Sequence, residues 1–167
     1  MHRLVPLVVM LVLCPAALMG QEATLARRIV TVTAGIGNAM GWLGAQGERY
    51  FAQERLSAFV GLGYTPSIDP GDPSGPTVAL GVRGFTTGVK HRGFLALSVS
   101  QLLIERGGGE DPRRLYGPGL EAGYQFASRG GFTLMVGLGL GYAPGVPEGE
   151  SKVSSMAELG FGYTWRR

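Results

Sequence analysis

The chain is poor in the residues that carry most protein chemistry. It has one cysteine and two histidines among 167 residues. Cys14 lies in the N-terminal apolar segment, so beyond that segment the fold has no disulfide and no thiolate metal site. His91 is then the sole histidine, and one histidine without cysteine cannot supply the nitrogen and sulfur ligands of a metal centre. No metal and no cofactor is expected. Charged residues make up only 16% of the chain, with a formal net charge of +3. No cluster of basic and aromatic residues is present, which argues against a nucleic-acid surface. Long apolar runs are lacking too. The longest, Leu4 to Leu13, is broken by Pro6 and closed by Pro15, short of the roughly 20 residues a spanning helix needs. No segment has the apolar period of a helix.

What is present begins with an export leader. Met1, His2 and Arg3 make a short basic start, the apolar run follows, and Ala16, Ala17 and Gly20 are small. The reading is a signal peptide over residues 1–20, cleaved after Gly20 although Leu18 is bulky for that position. Leu13 before Cys14 and Pro15 after it argue against lipidation. Without the leader, 14 basic residues face 12 acidic ones, since only Arg3 is lost. A short segment, 21–27, then leads into a single domain, 28–167.

That domain reads as strands. Ala157, Leu159, Phe161, Tyr163 and Trp165 alternate with Glu158, Gly160, Gly162 and Thr164, and a period of two gives a strand one apolar face. Eight such segments are predicted: Arg28 to Gly37, Gly41 to Phe51, Arg55 to Tyr64, Thr77 to Phe85, Phe94 to Leu103, Leu115 to Phe126, Phe132 to Tyr142 and Val153 to Trp165. Most have the 9 to 11 residues with which a tilted strand crosses a hydrocarbon layer. Short connections (Ala52 to Glu54, Thr86 to Gly93, Ala127 to Gly131) alternate with longer ones (Thr65 to Pro76, Ile104 to Arg114, Ala143 to Lys152) rich in proline and glycine. The tight first hairpin at Asn38 to Met40 departs from that rule. An even strand count with this alternation is the pattern of a chain threading a bacterial outer membrane.

Face assignment supports an inverted barrel. Leu56, Ala58, Val60, Leu62 and Tyr64 share one side of the third strand, and Phe132, Leu134, Val136, Leu138, Leu140 and Tyr142 one side of the seventh. A soluble barrel would turn these inward and place charge outside, yet Phe132 to Tyr142 contains no charge at all. Lipid accepts the apolar side, and a narrow interior accepts Gly, Ser and Thr. The aromatics agree: Tyr50, Phe51, Phe85, Phe94, Tyr124, Phe126, Phe132, Tyr163 and Trp165 fall beside the short turns, and Tyr64, Tyr116, Tyr142 and Trp42 at the loop side, as two girdles at headgroup level.

With these strands, Gly61-Leu62-Gly63-Tyr64, Gly139-Leu140-Gly141-Tyr142 and the closing Gly160-Phe161-Gly162-Tyr163-Thr164-Trp165, the chain resembles small outer-membrane proteins of the OmpA/OmpX-like type over about residues 28–167. The resemblance implies an all-β, eight-stranded antiparallel up-and-down transmembrane β-barrel in the cell outer membrane. It also implies partners: outer-membrane lipids, lipopolysaccharide, and the barrel assembly machinery, which reads the C-terminal strand. Here Arg166 and Arg167 follow the last aromatic.

Charges inside strands mark the interior: Glu48, Arg83, Glu121 and Glu158, with Gln46 and Gln125. Buried charge must be paired or shift its protonation, so Arg83 is expected to bridge two of the glutamates, with the remaining acid either offset by Arg28 or Arg49 or left protonated. Such a set is a polar pore lining, a proton-responsive plug, or a structural network filling a lumen just wide enough for side chains. The last is preferred. Catalytic groupings are scarce. His91 sits between Lys90 and Arg92 in an expected turn, and neither Ser98 nor Ser100 has a histidine nearby in sequence. Gly35-Ile36-Gly37 with Gly41 lacks the third spacing of a dinucleotide fingerprint and is followed by no helix. Asp69, Asp72, Glu105, Arg106, Glu110, Asp111, Arg113 and Arg114 read as solvated loop charge rather than a cation or phosphate site. The function expected is a structural or surface-interaction barrel without enzymatic activity. The alternatives are a lipid-modifying outer-membrane enzyme, which needs a polar triad at the lipid interface, and a soluble lipocalin-like barrel, which needs an apolar interior.

Overall fold

The computed structural model describes residues 29–67, 74–88, 90–104, 113–146 and 151–166. The expected signal peptide over residues 1–20, the segment 21–27 and Arg28 lie outside these, as do the loop charges Asp69, Asp72, Glu105, Arg106, Glu110 and Asp111. Eight antiparallel strands follow one another: β1 Ile29–Gly37, β2 Gly41–Phe51, β3 Leu56–Thr65, β4 Gly75–Phe85, β5 His91–Ile104, β6 Arg113–Ala127, β7 Phe132–Tyr142 and β8 Val153–Arg166. Each pairs with the next, and β1 pairs with β8, from Ile29 with Arg166 to Gly37 with Glu158, so the sheet is a closed barrel without a free edge along this seam. Closure satisfies the backbone groups that an open sheet would leave at its edges.

The period of two decides which side chain faces where. On β7, Thr133 and Met135 are fully buried, whereas Leu138 and Leu140 are 68% and 61% exposed. The third strand behaves alike, with Ser57 and Phe59 inside and Leu56, Val60, Leu62 and Tyr64 outside. Apolar side chains therefore cover the exterior. The core is the lumen.

The seam is fastened by hydroxyls. Thr31 of β1 and Thr133 of β7 each lie 2.6 Å, oxygen to oxygen, from Thr164 of β8. At the short-turn end, Ala52–Glu54 forms a 3-10 turn in which Ala52, Gln53 and Glu54 have φ of 47°, 58° and 67°. At the loop end the first hairpin is only three residues long, and it turns inward. Gly37 (φ 139°) and Gly41 (φ 66°) pair across it, and Ala39 and Met40 are buried. Gly61 faces the Ala39 backbone so closely that a Cβ there would lie 2.8 Å from the Ala39 carbonyl carbon. The glycines of Gly35-Ile36-Gly37 thus serve strand packing and a turn.

Candidate functional site: the filled lumen

The polar residues expected inside do meet there. Arg83 on β4 reaches Glu158 on β8 through Nη2 at 2.9 and 3.0 Å, and Nη1 lies 3.5 Å from Glu48 on β2. Arg83, Glu48 and Glu158 are all buried, at 1%, 2% and 3% exposure. Gln46 completes the ring when its amide is oriented to suit both neighbours: its oxygen accepts from Arg83 Nη1 at 2.6 Å, and its nitrogen donates to Glu158 at 3.3 Å. Glu48 also accepts from the Ser57 hydroxyl at 2.5 Å and the Tyr50 hydroxyl at 2.7 Å. The guanidinium lies over the Phe59 ring, 4.1 Å from its centre, and 5.0 Å from that of Phe94. Charge-assisted bonds and ring faces both favour a cation held away from water.

Glu121 joins this group differently. It extends from β6 across Gly137, whose added Cβ would lie 2.7 Å from the Glu121 carboxyl carbon, and Gly137 is the register partner of Glu158. Its Oε1 has no hydrogen-bond partner among the described residues.

A second buried cation was not foreseen. Residues Thr86 to Gly93 read as a turn, but β5 begins at His91, and Arg92 points into the lumen at 2% exposure. Its Nε donates to Gln125 at 2.7 Å, and Nη1 lies 3.3 Å from the Glu54 backbone oxygen and 3.4 Å from its carboxylate. It stacks 4.2 Å from the Phe85 ring centre and 4.6 Å from that of Tyr50. Arg49, proposed to offset the acids, is on the outer face, 5.7 Å from the Phe51 ring centre. The girdle assignment is corrected in the same region. Tyr50, Phe85 and Phe94 are buried and pack on one another inside the barrel, with ring centres 5.5 and 6.0 Å apart. Phe132, Tyr124, Tyr163 and Trp165 remain outside at that end, and Trp42, Tyr64, Tyr116 and Tyr142 at the other. Strand parity carried this information, because Tyr50 shares the side of Glu48, Phe85 that of Arg83, and Arg92 that of Phe94.

The lumen is thus layered. Aromatic rings beside Arg92 fill the short-turn end, the Arg83 network fills the middle, and Leu102, Ala143, Val146 and Met156 form a separate apolar cluster at the loop end. The apolar interior that a lipocalin-like carrier needs is replaced through the middle of the barrel by ions and amides. His91 is on the outer face, hydrogen-bonded through Nδ1 to the Tyr124 hydroxyl, whereas Ser98 and Ser100 lie on the lumen side of β5. They do not share a face with the histidine. No group of three metal-binding side chains occurs among the described residues.

With the barrel and its lining in view, one solved structure is similar: the N-terminal β-barrel domain of Pseudomonas aeruginosa OprF. It superposes with a TM-score of 0.56 at 15% identity, covering 83% of this chain and 97% of that domain. The fold is that of a small OmpA-like barrel. No family model matches the sequence, and no curated protein does either.

Proposed function

We propose that the chain is an integral outer-membrane β-barrel protein with a closed lumen and a structural or surface-interaction role, without enzymatic activity. One observation carries this reading: the surface is inverted, with Leu62, Leu97, Leu138 and Leu140 outward and Arg83, Arg92, Glu48 and Glu158 inward. In water such an apolar belt would drive association, since soluble monomers seldom expose contiguous apolar patches beyond a few hundred Å². In hydrocarbon it is the solvated side, and closure of the sheet meets the demand that backbone groups bond internally. The leader at residues 1–20 supports export. Lipids and lipopolysaccharide then surround the belt, and β8, with Tyr163 and Trp165 near its end, is the element offered to the barrel assembly machinery. No nucleic-acid partner is proposed.

The test is to fold the protein in detergent, compare gel migration before and after boiling, and record currents in a planar bilayer. A compact, heat-modifiable band and no stepwise conductance are expected. A compact monomer in plain buffer without detergent would overturn the membrane reading, and stable ion steps would overturn the closed lumen.

A further inference from the structure

Strand lengths at the loop end do not match around the barrel. β1 stops at Gly37, opposite Glu158, and the Asn38 N–H donates to the Ala157 carbonyl at 3.3 Å. β8 begins four residues before Ala157, and Val153 to Met156 pair with β7 from Tyr142 to Gly139 while running past the end of β1. With the first hairpin only three residues long and folded inward, the wall beside β8 is lower than elsewhere. A cavity of about 490 Å³ occupies this notch. That volume is within the range of small-molecule sites, about 300–1,000 Å³.

The lining crosses the wall. Ile36, Leu138 and Leu159 come from the outer face, with Ala157 between them, whereas Thr65, Thr77 and Glu158 belong to lumen-facing positions. Trp42, 57% exposed, stands at the entrance on the loop-side aromatic level, where an indole marks the headgroup region. Among the described residues the lining contains Asn38, Gln101, two threonines and one carboxylate, and no Lys, Arg or His. The Glu158 carboxylate is already held by Arg83, so among the described residues the lining offers an anionic head no cation to pair with, while an uncharged hydroxyl meets the hydrogen-bonding groups of Asn38, Thr65 and Thr77.

We propose that this notch is a lateral binding site for a single-chain amphiphile with an uncharged, hydroxyl-bearing head. Its alkyl chain lies against Ile36, Leu138 and Leu159, and its head enters toward Thr65 and Thr77. The inference rests on the membrane reading above, because the outer-face residues Ile36, Leu138 and Leu159 meet acyl chains only if the barrel sits in a bilayer.

Trp42 reports on the site directly, since the chain has two tryptophans and Trp165 is at the opposite end. The experiment uses the full barrel in dilauroylphosphatidylcholine vesicles, with Trp165→Phe so that Trp42 alone emits. The probes are 12-bromododecanol and the ionised 12-bromododecanoate. Quenching by the alcohol should saturate, at a midpoint about tenfold below that of the carboxylate, the discrimination expected from about one hydrogen bond. Ala157→Phe, which fills the outer part of the notch from a lipid-facing position, should raise the midpoint several-fold and leave heat-modifiable migration unchanged; Ile36→Phe provides the same block from β1. Trp165, read in a Trp42→Phe protein, should show only non-saturating quenching. Equal behaviour of the two probes, linear quenching of Trp42, or no response to either blocking substitution in folded protein would overturn the site. Failure to enter the vesicles would overturn the membrane reading, and the site with it.

Discussion

Replacing Arg83 by methionine tests the layered lumen at its centre. The substitution keeps much of the side-chain volume and removes the cation, so Glu48 and Glu158 lose their shared partner while remaining bonded to Ser57, Tyr50 and Gln46. Breaking a buried ion pair from one side costs about 3–5 kcal/mol, because the charge left behind stays desolvated. Loss of the stacking on Phe59 and Phe94 adds to the same side of the balance. Unfolding in urea from lipid vesicles measures it: with a slope of about 1–3 kcal/mol/M, the midpoint should fall on the order of 2 M. The decisive comparison is a triple variant, Arg83→Met with Glu48→Gln and Glu158→Gln. If stranded charge is the cause, neutralising both acids should recover about 2 kcal/mol or more, since a neutral set in place of a buried ion network is often tolerated. A single variant as stable as the parent, or a triple variant no better than the single, would refute the reasoning. The first result would mean that the ions merely fill space; the second would mean that the arginine acts through its packing.

Other perturbations probe separate parts of the barrel. Thr164→Val removes the hydroxyl shared by Thr31 and Thr133 at the closing seam and should cost about 1 kcal/mol, the worth of lost hydrogen bonds whose partners keep Tyr50 and the Gly131 carbonyl, read as a lower urea midpoint at constant slope. Gly61→Ala places a carbon against the Ala39 backbone and should destabilise the barrel by about 1–3 kcal/mol through overpacking, whereas the outward Ala58→Gly should change the same midpoint much less. Gln53→Gly should raise stability by up to about 1 kcal/mol and the midpoint with it, because Gln53 is exposed and holds a left-handed conformation that costs an L residue about that much.

Much of this fold was legible because its signals are local. The period of two in β7 and β8 and the proline and glycine between strands identify all eight elements, with bounds shifted by few residues except in β5. There, Gly88 and Gly93 around a basic tripeptide resemble a turn, and that resemblance hid Arg92. Counting back by twos along the apolar face from Val99, Leu97 and Leu95 to Gly93 places Arg92 on the opposite, inner side. The pairing of Arg83 with Glu158 was within reach, since few charges lie in strands and buried ions need partners. Its bed of rings was not. Phe59 meets Arg83 because β3 pairs with β4 in the register that sets Ser57 opposite Arg83 and Phe59 opposite Gly81, and register is a long-range property that a single strand does not encode. The inward fold of the first hairpin was equally hidden, because Asn38 to Met40 read only as a short turn.

An eight-stranded wall encloses little more than its own side chains, so what passes through it depends on how the ends are filled. Here the two ends are filled by different chemistry. Tyr50 and Phe85 lie against Arg92 at the short-turn end, with Phe94 packed on Phe85, while Leu102, Val146 and Met156 cluster at the loop end. Between them the Arg83 network ties β2, β4 and β8 together across the lumen. An ion moving along the axis would have to displace all three layers, two of which hold a buried guanidinium. The notch beside β8 demands no such displacement, because it exists where the short β1 and its inward hairpin leave the wall low. Exchange with the surroundings is therefore easier sideways than end to end, and the molecule that uses this barrel is expected to arrive from the lipid.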